Sequence, residues 1–132
     1  MIVDTSAIMA IVLGEPEDSL FTDVLFRASN PLMSVATFVA LTAVIVERCP
    51  AQRTAVDLLI ETARITLTPV SIPQARIAST AYATYGRGTG HPAKLNFGDC
   101  FAYALAKSAN DTLLFKGDDF THTDVLKAIN DA

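Results

Sequence analysis

The residues best suited to chemistry in this sequence are four aspartates placed beside predicted strands. Asp4 directly follows the first predicted strand, and Asp99 lies in the first turn of the helix that precedes the fourth strand. Asp118 and Asp119 directly follow that fourth strand. In an open sheet of parallel strands, sites lie outside the carboxyl ends of the strands. All four carboxylates can therefore face one edge of the sheet.

Carboxylates gathered at one edge would repel one another at neutral pH unless a divalent cation lay among them. Oxygen ligands without His or Cys favour Mg²⁺ or Mn²⁺. Such a site, with one or two ions, can activate a water for in-line attack on a phosphodiester and stabilise the charge that develops on the phosphate. The predicted chemistry is therefore metal-assisted attack on a phosphodiester.

The same aspartates also have purely structural explanations. Asp4 can cap the first helix, and Asn96 with Asp99 resembles a capping box in which Asp replaces the usual Glu. Asp118 and Asp119 can form an ordinary turn after a strand. Spacing alone leaves the metal site and the capping interpretation equally open.

The elements that would position these acids alternate between short strands and longer helices. Strands are predicted over residues 1–3, 31–34, 64–70 and 112–115, with a last short strand that includes Val125 and Leu126. Helices are predicted over residues 5–13, 15–28, 35–48, 52–63, 72–85 and 97–108. This alternation favours an α/β fold in which helices cover both faces of a parallel sheet.

Composition sets the limits of the prediction. With 132 residues, of which 51% are hydrophobic, we expect one compact domain over residues 1–132. The longest apolar runs are shorter than the roughly 20 residues of a membrane helix, and no export signal is visible, so we expect a cytoplasmic protein. The net charge of −4 argues against a domain that coats phosphates with Lys and Arg, so any RNA contact must be local.

Three segments carry a more specific signal: residues 1–7 (MIVDTSA), 95–100 (LNFGDC) and 113–120 (LLFKGDDF). They resemble the best-marked segments of VapC toxins, which are ribonucleases of the PIN-domain type, and they occur at the usual separations. The resemblance covers essentially the whole chain. It implies a three-layer α/β/α PIN fold with a short, mostly parallel sheet, usually assembled as a homodimer.

The resemblance also implies a function and a partner. The function is that of an endoribonuclease toxin that cuts structured RNA, commonly a transfer RNA or a ribosomal RNA loop, and the partner is a cognate VapB antitoxin. Asp4 and Asp99 correspond to the principal magnesium-binding aspartates, and the last acid comes from the pair of Asp118 and Asp119, with Asp119 preferred. We expect Mg²⁺, for which Mn²⁺ can substitute.

Three neighbouring polar residues would support these aspartates. Thr5 or Ser6 would orient Asp4 or a metal-bound water, and Asn96 would hold the start of the helix that presents Asp99.

One position departs from the family pattern. In the family, the helix after the second strand opens with Ser-x-x-x-x-x-Glu, but six residues after Ser34 this chain has Ala40. Glu47 lies seven residues further, about 10 Å along the helix axis, which is too far to replace the missing carboxylate. An engineered Glu-to-Ala change and a naturally weakened relative both explain Ala40. Either predicts weak metal binding and low nuclease activity with the fold intact.

Four basic residues are candidates for RNA contacts. Arg87, His91 and Lys94 lie in the glycine-containing loop before the Asp99 helix, where they either meet RNA phosphates or are simply solvated. Lys116 would contact substrate or, as we favour, pair with the neighbouring acids and lower their repulsion.

Two alternatives to the nuclease remain. A catalytically silent PIN domain that binds an antitoxin or RNA without cleaving it is compatible with Ala40. An aspartate-based phosphotransferase or receiver-like domain is far less favoured, because the chain has no Asp-x-Asp-x-Thr motif and no Walker-type phosphate loop.

Overall fold

The structure, a computed structural model, describes residues 1–130. Its centre is a four-stranded sheet in the order β3-β2-β1-β4, in which every pair of neighbours is parallel. The strands are β1 (Ile2–Val3), β2 (Leu32–Ser34), β3 (Thr66–Thr68) and β4 (Leu113–Leu114). All carboxyl ends therefore lie at one edge, as the sequence predicts.

Within residues 1–130, six helices connect the strands: α1 (Thr5–Val12), α2 (Asp18–Arg27), α3 (Val35–Arg48), α4 (Arg53–Thr62), α5 (Ile72–Tyr85) and α6 (Asp99–Ala109). Two 3₁₀ turns cover Pro50–Gln52 and Asp119–His122. The side chains of Asp4, Ser34 and Ser71 cap the starts of α1, α3 and α5. Ser34, for example, begins α3 by accepting a hydrogen bond from the backbone N of Ala36 at 3.2 Å.

Alternate strand residues pack into two separate cores. Ile2 and Leu113 join the core formed with α5 and α6, whereas Val3 and Leu114 join the core formed with α1 to α4. This alternation follows from the two-residue period of a strand. The result is the predicted α/β/α arrangement of three layers, and the predicted fold class is confirmed. That residues 1–132 form a single domain stays a prediction.

Three predicted elements are shorter or differently oriented. β3 has three residues rather than seven. Arg64 takes a left-handed conformation at φ 58° before the strand, and Pro69, which has no backbone N–H to donate, follows it. The predicted last strand is reduced to a bridge between Leu113 and Lys127. The amphipathic pattern of α2 predicts that Leu20, Phe21, Val24 and Leu25 face inward. Phe21 and Leu25 are buried and Val24 is half-buried, but Leu20 is 50% exposed.

No helix within residues 1–130 is both long and apolar enough to cross a membrane. Both cysteines are free thiols, with Cys100 buried and Cys49 half-buried.

Candidate active site

A cavity of about 430 Å³ opens at the carboxyl edge of the sheet. The start of α1, the middle of α3, the start of α6 and the segment after β4 form its walls. Of the four predicted acids, Asp4, Asp99 and Asp119 line this cavity. Asp118 does not line it, because this residue is exposed and lines a separate cavity next to α2 and β4. Three sequence-distant carboxylates therefore meet in one cavity, while two adjacent ones are separated.

Asp4 both caps α1 and lines the cavity. Its backbone N donates to the carbonyl of Leu114 at 3.0 Å, which extends the β1–β4 pairing by one residue. Its Oδ2 accepts hydrogen bonds from the backbone N of Ser6 at 3.0 Å and from Ser6 Oγ at 2.6 Å. Burial nevertheless raises the pKa of Asp4 above its ordinary value, because complete desolvation outweighs these hydrogen bonds.

Ser6 connects Asp4 to the end of β4. Its hydroxyl donates to Asp4 and accepts from the backbone N of Lys116 at 2.9 Å. Thr5 also lines the cavity, but its hydroxyl makes only a long contact, 3.5 Å, to the carbonyl of Thr37 in α3. Of the two residues predicted to orient Asp4, the structure places only Ser6 in contact with its carboxylate.

Asp99 is held by reciprocal hydrogen bonds with Asn96. The backbone N of Asn96 donates to Asp99 Oδ2 at 3.0 Å, and the backbone N of Asp99 donates to Asn96 Oδ1 at 2.8 Å. This is the predicted capping box with Asp in the place of Glu. Capping and a site at the sheet edge are therefore compatible, since Asp4 caps α1, Asp99 takes part in the capping box that precedes α6, and both line the cavity.

The acids in the cavity influence one another's charge. Burial, followed by the negative charge of Asp4, raises the pKa of Asp99 to about 7, with a smaller contribution from Asp119. The backbone N of Asn96 and the positive charge of Arg87 act in the opposite direction. A divalent cation would relieve this repulsion and the cost of burying two charges.

The donor atoms fit a hard cation, within limits set by their spacing. In the described part of the chain, no three His, Cys, Asp or Glu side chains gather closely enough to share one ion. Mg²⁺ is commonly held by one or two carboxylates and keeps several waters. The residues present therefore fit an ion held mainly by Asp4 and Asp99 with water, rather than an ion enclosed by four carboxylates.

Ala40 occupies the α3 wall of this cavity. Its Cβ lies 3.4 Å from the position that a Cβ on Gly98 would occupy, so position 40 faces the segment that leads into α6. Glu47, in contrast, is exposed and does not line the cavity. A glutamate at position 40 would therefore stand on the wall of the acidic cavity, whereas Glu47 leaves that wall without a carboxylate.

Lys116 pairs with acids, but not with those expected. Its Nζ lies 2.7 Å from Glu15 Oε2 and 2.9 Å from Glu17 Oε2, the second contact being an ion pair without hydrogen-bond alignment. Pairing with Asp118 or Asp119 was therefore wrong. The fold brings the connection between α1 and α2 next to the end of β4. Lys116 therefore pairs with acids that are distant in sequence rather than with its neighbours. An RNA phosphate would have to compete with both glutamates for its ammonium group.

The two ends of the loop before α6 are joined by a backbone bridge. Gly86 and Leu95 form a parallel bridge, and His91 Nδ1 accepts from the backbone N of Ala93 at 3.1 Å while its ring stacks edge-on against Tyr85. His91 therefore shapes the loop. Arg87 and Lys94 are exposed and, like His91, lie outside the cavity wall. Their predicted RNA contacts stay predictions, although Arg87 is near enough to lower the pKa of Asp99.

Sequence reasoning missed part of the cavity wall. Met9 and Leu13 line it from α1 and its C-cap, whereas Val44 and Arg48 line it from α3. The signal was available, since residues four apart share a helix face. Met9 and Leu13 continue the face of Thr5, and Val44 and Arg48 continue the face of Ala40.

Comparison with known proteins supplies the family. Residues 1–126 match the PIN domain family. Ribonuclease VapC42 of Mycobacterium tuberculosis is 48% identical over 129 residues, which are 97% of this chain and 98% of that protein. Ribonuclease VapC28 of the same organism is 47% identical over 131 residues, which are 98% of each chain.

A solved structure supports the same fold. The crystal structure of Mycobacterium tuberculosis VapC20, described as a toxin that cleaves the sarcin-ricin loop, has a TM-score of 0.75 over 96% of each chain, at 13% sequence identity. The likeness to VapC20 shows the fold alone, whereas the two relatives with higher sequence identity show the type of protein. The chain belongs to the PIN domain family and, within it, to the VapC-type ribonuclease toxins.

Proposed function

We propose that this chain is the toxin of a VapBC pair and acts as a Mg²⁺-dependent endoribonuclease on structured RNA, either a transfer RNA or a ribosomal RNA loop. The observation that carries the proposal is that Asp4, Asp99 and Asp119 line one cavity at the carboxyl edge of the sheet. The raised pKa values of Asp4 and Asp99 in that cavity support a role for a bound cation.

The chain's own residues would hold and orient the metal ligands. Asp4 and Asp99 would bind Mg²⁺, or Mn²⁺ in its place, with Asp119 completing the acidic wall. Ser6 would fix the Asp4 carboxylate, and Asn96 would fix that of Asp99, since such outer hydrogen bonds orient metal ligands. When bound, the metal supplies an acidified water and positive charge beside the phosphate.

Ala40 is the reason to expect weak activity from this chain. A methyl group in the α3 wall can neither bind a cation nor orient a water. Alanine keeps the helix intact because its helix propensity is the highest of all residues. We therefore expect a folded protein with low metal affinity. The same observation favours a second candidate function, a silent PIN domain that binds an antitoxin or RNA without cutting it.

The proposed partners are a VapB-type antitoxin and a second copy of the chain. The exposed large apolar side chains include Leu13, Leu20 and Phe26 on the first two helices and Tyr82 and Phe97 near α5 and α6. Surfaces of this kind support protein association. Light scattering behind a sizing column, with and without co-expressed antitoxin, would give both assembly states.

The decisive experiment compares cleavage of a total transfer-RNA pool and of ribosomal RNA, in Mg²⁺ or Mn²⁺, by the chain and by Ala40→Glu. Asp4→Ala in the Ala40→Glu background is the blank. Cleavage by Ala40→Glu that the blank lacks, with little by the chain itself, is the expected result. Absence of cleavage by all three, while the chain still binds RNA or antitoxin, would replace the nuclease with the binding module.

A further inference from the structure

The cavity extends well beyond its acids, along one face of α3. Ala40, Val44 and Arg48 follow one another at four-residue intervals on this face, and all three line the cavity. At 1.5 Å per residue, Arg48 lies about 12 Å from Ala40 along the helix axis. Met9 and Leu13 line the facing wall from α1. The cavity thus has an acidic end, an apolar middle and a basic end.

Arg48 is available for an external anion. It is exposed, and no carboxylate within residues 1–130 lies at ion-pair distance from it. Glu15, which also lines the cavity, does not oppose an anion strongly, because it is paired with Lys116. As the last residue of α3, Arg48 also interacts favourably with the helix dipole. The interaction with the helix dipole would not by itself require the Arg48 side chain to line the cavity.

We propose that the outer part of this cavity is a nucleotide subsite for RNA. Arg48 binds a backbone phosphate, and Met9, Leu13 and Val44 contact the ribose or base between that phosphate and the one at the acids. The inference rests on the proposed function and names a contact that sets the position of the RNA along α3.

The charge pattern favours RNA over a peptide. A guanidinium group matches phosphate geometry and binds it through paired hydrogen bonds. The acids at the other end suit a second phosphate only when a cation lies between, which is the arrangement proposed for the metal. A chain with net charge −4 offers few places where a polyanion is attracted. Lys116 also lines the cavity but is already paired with Glu15 and Glu17, so Arg48 has a large share in binding.

The test measures RNA binding rather than cleavage, which the weak activity of the Ala40 chain permits. Fluorescently labelled total transfer RNA is titrated with the chain, Arg48→Ala, Arg48→Lys and Arg53→Ala by anisotropy, in Mg²⁺ at several salt concentrations. Arg53 is the matched control, since it is exposed at the start of α4 and outside the cavity wall. Melting temperatures show whether each variant is folded.

We expect Arg48→Ala to weaken binding about 5- to 30-fold and to lower the slope of log affinity against log salt by about 0.7 to 0.9, the loss of one phosphate contact. Arg48→Lys should keep the slope but lose part of the affinity, and Arg53→Ala should match the parent. Leu13→Gln, at an exposed helix end, should weaken binding about 2- to 5-fold without changing the salt slope, because it removes an apolar contact only.

Equal binding by Arg48→Ala and Arg53→Ala would overturn the subsite. The same holds if Arg48→Ala weakens capture of the antitoxin but leaves RNA binding unchanged, since the cavity would then receive a peptide. If Ala40→Glu still cuts RNA in either case, the proposed function stands without the subsite. If no variant binds or cuts any RNA, both proposals fail together.

Discussion

The two pairs of aspartates in this chain differ in how the fold treats them. Asp4 and Asp99 are 95 positions apart in sequence, yet they share one cavity, where the negative charge of Asp4 helps to raise the pKa of Asp99. Asp118 and Asp119 are adjacent, yet they line different cavities and both are exposed. Proximity in sequence therefore says little about which carboxylates act together.

The difference originates in backbone hydrogen bonding. Asp4 and Asp99 each stand at the start of a helix, where free backbone N–H groups fix a carboxylate in one orientation. The Asp118–Asp119 pair stands at the start of a 3₁₀ turn in which neither side chain caps the first residues. The first pair is therefore held by backbone hydrogen bonds at buried or half-buried positions, whereas the second pair is exposed to solvent.

The largest expected effect comes from the buried pair. In the Ala40→Glu background, Asp4→Asn should lower RNA cleavage by about 100- to 1,000-fold, because it removes a metal ligand worth several kcal/mol of transition-state stabilisation. Asn caps helices as well as Asp, so the fold should remain. Initial cleavage rates, with circular dichroism to verify folding, check this. A folded Asp4→Asn variant within threefold of its parent would contradict it.

The next effect concerns the hydrogen bonds that hold the buried pair. Ser6→Ala removes the 2.6 Å donor to Asp4 and should lower Mn²⁺ affinity by about 10- to 100-fold in the Ala40→Glu background. Thr5→Val is the matched control, because the Thr5 hydroxyl makes only a 3.5 Å contact to a carbonyl. Isothermal titration calorimetry with Mn²⁺ measures the affinity of each of the two variants. Equal losses in both variants would show that the effect is not specific to Asp4.

The adjacent pair offers a smaller and sharper contrast. Asp119→Asn should reduce cleavage by Ala40→Glu about 10-fold, because Asp119 lines the acidic cavity. Asp118→Asn should change it by less than about twofold, since that carboxylate is exposed and faces elsewhere. The two variants carry the same change in charge, so parallel cleavage assays compare position alone. The reverse order would assign the fourth acid to Asp118.

The smallest effect is on stability. The pKa of Asp99 is raised from 3.8 to about 7 in the folded state, so folding favours its protonated form. The resulting stabilisation is complete below about pH 4 and is lost as the pH rises through about 7. With EDTA present, the chain should lose on the order of 1–3 kcal/mol between pH 5 and pH 8, a shift of several degrees in melting temperature.

Asp99→Asn is the control for this pH dependence. It should remove the part of the pH dependence that Asp99 contributes and leave the part due to Asp4, whose pKa burial also raises. Mg²⁺ should restore part of the stability of the parent at pH 8. Asp111 and Asp124 do not interfere, because their lowered pKa values act below about pH 4. Identical profiles for the parent and Asp99→Asn would show that Asp99 is not the titrating group.

Much of the fold was predictable because its signals are local. Ser34 before α3, Asn96 three residues before Asp99, and the two-residue alternation of the strands each depend on neighbours within one turn or one strand. Where local signals conflicted with tertiary contacts, the prediction was wrong. Leu20 is apolar and lies on an amphipathic helix, yet it faces away from the core.

By itself, the sequence determined the order of elements, the parallel sheet, the family and the unusual alanine at position 40. Only the tertiary structure decided that Asp119 and not Asp118 lines the cavity, that Lys116 pairs with Glu15 rather than its neighbours, and that Arg48 stands on the cavity wall. Helices and caps depend on contacts a few residues apart, which a sequence displays. The environment of a charged group depends on burial and on residues such as Glu15 and Lys116, which are 101 positions apart and meet only when the chain folds.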